Sequence, residues 1–112
     1  MNVGKVNRLV VAIVQDADAP GFSKALNDAG FPHTRIPTRG GFLQHANEAV
    51  LVAHPGTRKA ELMELIAREC HSRTEMQIVS MGDDAMLVPE PIEIGVGGAT
   101  IFSVNLECFT QL

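Results

Sequence analysis

Tryptophan and tyrosine are missing from this 112-residue chain, and five phenylalanines are its only aromatic rings apart from histidine. The stacking platforms on which single-stranded nucleic acid is usually held are therefore sparse. Positive charge is also scarce. Nine Lys and Arg stand against 13 Asp and Glu, giving a net charge of −4 and a pI near 5.4. Non-specific binding to nucleic acid needs a basic face, so no nucleic-acid partner is expected. A small anion in a locally basic pocket stays open. The two cysteines, Cys70 and Cys108, form no Cys-x-x-Cys pair, which removes the usual zinc and redox motifs. No apolar run approaches the ~20 residues of a membrane helix. The run at 9–14 is too short for a signal-peptide core and has no small-residue cleavage site behind it. The expectation is a cytoplasmic protein with no membrane partner.

Catalytic sets are missing as well. Ser23, Ser72, Ser80 and Ser103 lie in no nucleophile motif. Cys70 and His71 are neighbours, so on a helix they diverge by about 100° and make no dyad. His33 and His45 have no carboxylate or cysteine at ligand spacing, and Asp83-Asp84 reads as a solvated turn. Gly40-Gly41 lacks the Gly-Lys-Ser/Thr of a P-loop. The chain is read as a non-enzyme with no metal site and no cofactor.

What is present is a chain of one domain's length, 1–112, with 46% hydrophobic and 20% charged residues. Residues 8–14 are β-rich and nearly continuous in apolarity, as in a central strand. Asp18-Ala19-Pro20 reads as a helix start, with Asp18 as cap and Pro20 in the first turn. Phe22, Ala25, Leu26 and Ala29 recur at helical spacing, and Gly30 is a suitable stop. A strand at 33–37 is expected to lose regular pairing at Pro37. A strand at 49–53 follows, then a turn at His54-Pro55-Gly56. A helix capped by Thr57 runs to about Cys70, with Leu62, Leu65, Ile66 and Ala67 on its apolar side and Glu64 and Arg68 spaced as an i,i+4 pair. Residues 71–91 read as a less regular excursion with one short β-like piece at 77–80. Strands at 91–96 and 99–104 flank a Gly97-Gly98 break. The order predicts an α+β fold of the ferredoxin-like split βαβ plan (βαββαβ), an antiparallel sheet with two helices on one face. The other face, which Val10, Ile13, Leu51, Ile101 and their neighbours cannot all avoid, then needs cover, and self-association supplies it.

One stretch asks for more than a fold. In "TRGGFLQHANEAVLV", 38–52, two glycines lead into Phe42 and Leu43. The bland reading is a loop whose apolar tip packs back on the protein. The sharper one is a ligand seat, where glycine lets backbone amides approach the ligand and Phe42 supplies a packing face.

Four stretches in register then resemble a known family. "AIVQDAD" at 12–18, "GGFLQHAN" at 40–47, "VGGATIF" at 96–102 and "CFTQL" at 108–112 are similar to words of the PII-like cyclic di-AMP receptor family, relatives of the nitrogen-regulatory PII trimers. The resemblance implies a cytoplasmic homotrimer that is not an enzyme. It binds cyclic di-AMP in clefts between subunits and signals through loop ordering. It also implies site residues: Gly41 for a phosphate, Phe42 and Leu43 for an adenine face, and Thr34, Asn47, Phe102 and Gln111 around them.

The departures are as specific. Where the family carries Asn-Phe-Arg, this chain has Gly30-Phe31-Pro32, so the polar groups that read base and phosphate are absent. The family's Gly-Asn-Thr-Thr is Ala46-Asn47-Glu48-Ala49 here, and Glu48 adds negative charge near the expected seat. The family's Thr-Thr before the glycines is Thr38-Arg39, a glycine of its third strand is Ala53, and the 71–91 excursion is shorter and lacks a tyrosine. Arg35, Arg39, His33 and His45 either compensate or define a different ligand. The ligand is thus cyclic di-AMP or another small nucleotide or anion. The competing class is an orphan PII-like trimer that binds only a protein partner, through 71–91.

Overall fold

Alternation over residues 9–14 gives β1 (Val6–Gln15) two unlike faces: Val10, Ala12 and Val14 are fully buried, while Leu9, Val11 and Ile13 are half-buried. The structure, a computed structural model, describes residues 5–38, 47–79 and 90–112, with backbone alone for 75–79 and 90–96. Within these, β1 is followed by α1 (Ala19–Asp28), β2 (His33–Thr38), β3 (Asn47–Pro55), a 3-10 turn (Gly56–Arg58), α2 (Lys59–Glu69), β4 (Arg73–Val79), β5 (Glu90–Val96) and β6 (Ala99–Asn105). Four strands form one antiparallel sheet in the order β2-β3-β1-β6. Phe22 and Leu26 of α1 and Leu62, Leu65 and Ile66 of α2 share one core with Val10, Ala12, Val14, Val50 and Val52. The α+β ferredoxin-like plan expected from the sequence is the one observed.

The other sheet face has no described element packed over it as a layer. The register places Thr34, Leu51, Val11 and Phe102 in one row across all four strands, with Ile36, Ile13 and Val104 in neighbouring rows. Ile36, Phe102 and Val104 are 44%, 44% and 50% exposed. The expected shortage of cover is therefore visible, carried by the half of the alternation that points away from the helices.

Several local expectations are corrected. Asp18 precedes α1 but makes no side-chain capping bond; its backbone is already helical, and its carboxylate is drawn to Arg73 at 3.1 Å instead. Thr57 lies in the 3-10 turn, and Arg58 takes the N-cap position of α2 without a side-chain cap. His54 and Pro55 belong to β3 rather than to a turn, and His54 is buried. Ala67 is exposed, and Met63 takes its place against the core. Arg68 pairs with Glu69 rather than Glu64. Pro37 does not end β2, since pairing continues to Thr38 opposite Asn47. An edge strand pairs on one side only, so the missing N–H is tolerated. The excursion at 71–91 is more regular than expected: β4 and β5 form a separate two-stranded ribbon, Arg73 opposite Val96 through Val79 opposite Glu90.

Gly30 does stop α1, at φ +77, a value that favours glycine or asparagine. The Phe31 N–H then reaches back to the Leu26 carbonyl at 2.8 Å, closing the helix end. Cys70 is buried at the end of α2, where burial, and then the charges of Asp18 and Glu69, push its thiol up to about 12. Cys108 is exposed in the tail.

Candidate functional site

The turn out of α1 positions the first wall of a cleft. Phe31 is buried, with the Arg58 guanidinium 3.9 Å from its ring centre and the His54 ring edge-on to it. Arg58 also donates to the Ala29 carbonyl at 2.8 Å, which fixes the end of the helix to the start of α2. With Phe31 anchored, Pro32, His33 and Thr34 are delivered to the start of β2. Leu9, Leu51 and Ala53, from the half-buried face of β1 and β3, make the floor. Phe109 and Gln111 of the tail make the opposite wall of this open cleft of about 250 Å³.

Of the residues expected at a ligand site, Thr34 and Gln111 line this cleft together. Phe102 shares the row of Thr34 but stands on the opposite edge strand, three strand spacings or roughly 14 Å away. Asn47 begins β3, buried, opposite Gln15 on one side and Thr38 on the other; it is four residues, roughly 13 Å, along the strand from Leu51. One chain thus joins two of these four and separates the others. Gly41, Phe42 and Leu43 lie outside the described residues, as do Arg39, His45 and Ala46. Pro32, singled out from sequence only as a departure from the family pattern, lines the cleft; Leu9 and Phe109 were not singled out as site residues. A signal for Phe109 was present, because residues two apart in an extended segment share a side and Gln111 was named.

The two basic residues expected to compensate on β2 are engaged elsewhere. His33 donates from Nδ1 to the Phe31 carbonyl at 3.0 Å, since a carbonyl only accepts. Its Nε2 therefore accepts from the Ser23 hydroxyl at 2.7 Å. Both ring nitrogens are used, so His33 offers the cleft a ring edge rather than a hydrogen bond. Arg35 forms a bidentate pair with Glu48, Nε to Oε1 at 2.7 Å and Nη2 to Oε2 at 2.8 Å. The hydrogen bond from Arg35 holds the Glu48 carboxyl below the usual carboxylate range, and the same bond raises Arg35. Arg35 is in register with Val50 and Glu48 with Val14, both in the helix-covered rows. The pair therefore sits on the opposite side of the sheet from Thr34, and the Glu48 charge is both neutralised and turned away from the cleft.

The arrangement can do recognition chemistry: an apolar floor, a hydroxyl and a carboxamide, open on one side. Among the described residues no group of three or more His, Cys, Asp and Glu stands together to hold a metal ion. Among them, too, no helix is long and apolar enough to cross a membrane.

Comparison with known proteins agrees with this fold. A crystal structure of a functionally unknown protein from Pediococcus pentosaceus ATCC 25745 is similar, with a TM-score of 0.77 and 32% sequence identity over 97% of this chain and 100% of that one. The family model described as "Cyclic-di-AMP receptor" matches residues 7–112. With nearly its whole length matched, this chain belongs to the cyclic di-AMP receptor family.

Proposed function

We propose that the protein is a PII-like receptor that senses cyclic di-AMP in clefts between the subunits of a homotrimer and passes occupancy on through ordering of its loops. Family membership supports a nucleotide ligand. The observation that carries the finer reading is the row Thr34, Leu51, Val11, Phe102 on the open sheet face. Its two expected ligand contacts stand at opposite edges of one chain. A ligand seated on this face between copies meets the Thr34 and Gln111 wall of one subunit and the Phe102 edge of the next. Gly41, Phe42, Leu43 and Asn47 complete the proposed site. The protein acts by binding, in the cytoplasm and as one domain, without turnover.

A calorimetric titration with cyclic di-AMP, beside ATP, ADP and other cyclic dinucleotides, tests this. Gln111→Ala and Thr34→Val should each weaken cyclic di-AMP binding by about 1 kcal/mol, roughly 5-fold, the net contribution of one neutral hydrogen bond. No heat with any of these nucleotides at millimolar concentration rejects the reading. A second reading rests on Pro32, which lines the cleft and brings no hydrogen-bond donor where the family pattern has an Arg. On that reading the trimer takes a different small anion, or only a protein partner on the β4–β5 ribbon.

A further inference from the structure

The chain leaves β6 after Asn105, on one edge of the four-stranded sheet, yet Gln111 lines the cleft with Thr34 of β2, on the other edge. β6 and β2 are three strand spacings apart, roughly 14 Å, and the five steps from Leu106 to Gln111 cover roughly 17 Å when extended. The tail therefore runs across β1 and β3, over the floor of Leu9, Leu51 and Ala53. Its last backbone tie to the sheet is the Leu106 N–H, which donates to the Asn7 carbonyl at 2.8 Å. Beyond that bond, 107–112 make no hydrogen bond to any described residue outside the tail.

Alternation sorts the side chains of the tail. The Cys108 thiol and the Thr110 hydroxyl meet at 3.3 Å on one side, so Phe109 and Gln111 fall on the other, where both line the cleft. All of 107–112 is exposed, but Phe109 only to 40%, so more than half of this large apolar side chain is covered. The Gln111 carboxamide makes no hydrogen bond to a described residue, so no polar contact among them places it. The apolar side chain on its own side, two residues earlier, is Phe109. We propose that Phe109 is a positioning residue: its ring, seated on the Leu9, Leu51 and Ala53 floor, straps the tail to its own sheet and holds the Gln111 carboxamide across the cleft from the Thr34 hydroxyl. Apolar burial is non-directional, so it fixes where the tail lies and leaves the polar atoms of Gln111 for a ligand. Gln111 is then ordered before the ligand arrives, which favours binding. The role of Gln111 rests on the ligand reading above; the docking of the tail is independent of it.

Calorimetry with cyclic di-AMP on the intact protein tests this as a double-mutant cycle. Gln111→Ala should weaken binding roughly 5-fold. Phe109→Ala should do the same with Gln111 still present, and Phe109→Leu, which keeps an apolar anchor, should bind like wild type. The two alanines together should still weaken binding roughly 5-fold, rather than the roughly 25-fold of independent losses, because each removes the same contact. Multiplied losses would mean that Phe109 meets the ligand itself, and they overturn the positioning role. So does a Phe109→Ala protein that binds like wild type. A second measurement needs no ligand: a maleimide nitroxide on the exposed Cys108 reports tail motion by electron paramagnetic resonance. Its spectrum should be restricted in wild type and in Gln111→Ala, and in Phe109→Ala as mobile as in urea. A wild-type label already that mobile overturns the strap even if no variant folds, and so does a Phe109→Ala label that stays restricted. A restricted label freed by Phe109→Ala, with no cyclic di-AMP bound by wild type, rejects the ligand reading and leaves the strap standing.

Discussion

Val104 offers a direct test of the open sheet face. It is half exposed and lies beside Leu9, in the face that also carries Ile36 and Phe102. Full burial of a Val, Ile or Phe side chain contributes ~1.5–3 kcal/mol, so covering these three half-exposed chains contributes about 1 kcal/mol each, or roughly 3 kcal/mol per subunit. The half-buried Leu9, Val11, Ile13 and Leu51 add to that when the face is covered. Val104→Glu reverses the sign. In an isolated chain the substitution is a surface change, within about 0.5 kcal/mol. In an assembly it strands an unpaired carboxylate in an apolar interface, at a cost of several kcal/mol for each copy. Sedimentation velocity at micromolar concentration should show a trimer for wild type and a smaller species for Val104→Glu, with a lower and concentration-dependent melting temperature. Ala67→Glu, on the exposed side of α2, should leave both readings as in wild type. If Val104→Glu sediments and melts like wild type, or if wild type is a stable monomer, the face is not an interface and the inter-subunit cleft goes with it.

Restoring the polar pair of the family pattern should strengthen cyclic di-AMP binding. Gly30 sits at φ +77 with nothing within 4 Å of an added Cβ, so asparagine fits, and Pro32 lines the cleft, so an arginine there starts from its wall. A charged hydrogen bond contributes ~1.5–3 kcal/mol, so Gly30→Asn with Pro32→Arg should raise affinity by roughly 10–100-fold in calorimetry; an unchanged affinity means the ligand is not read from this wall. Phe31→Ala should cost ~3–5 kcal/mol of stability in urea unfolding, because it empties a buried site and removes the ring beneath Arg58; a loss under 1 kcal/mol would contradict the anchoring role. Acid should destabilise through Glu48 and Glu61, whose carboxyls hydrogen bonds from Arg35 and Arg58 hold below the usual value. A lowered folded value means that this stability is fully present above the unfolded carboxyl's ordinary 4.5 and is lost as pH falls through the folded value. Glu48→Gln should therefore flatten the fall of the urea midpoint below about pH 4.5, and an unaltered slope would show that the pair contributes nothing.

Where one physical signal dominated a segment, the sequence disclosed its structure. β1, α1 and β3 were legible because apolar runs or helical spacing were sustained and Gly30 marked a stop. The ribbon was legible only in part: 91–96 reads as a strand and 77–80 as a β-like piece, but Glu75 and Gln77 interrupt the apolar pattern of β4, so its start at Arg73 and its pairing with β5 did not show. Asp18 and Thr57 looked like caps because their residue type is right for one; a tertiary partner, Arg73, and a 3-10 turn claimed those positions instead. At the cleft, the resemblance named Thr34 and Gln111, which the fold brings together, and also Phe102 and Asn47, which it holds apart. The pairing of Glu48 with Arg35 was invisible at a separation of 13 residues. Only the strand register reveals that the two side chains share a face.

The contrast between the two cysteines has a practical consequence. Burial pushes the Cys70 thiol well above the usual thiol range, so little of it is the reactive thiolate near neutral pH, and it is also shielded from reagent. Cys108 is exposed and immediately precedes Phe109, a wall of the cleft. A maleimide dye should therefore attach at one position of the unaltered chain, beside the cleft, and report occupancy as a change in fluorescence without any engineered substitution.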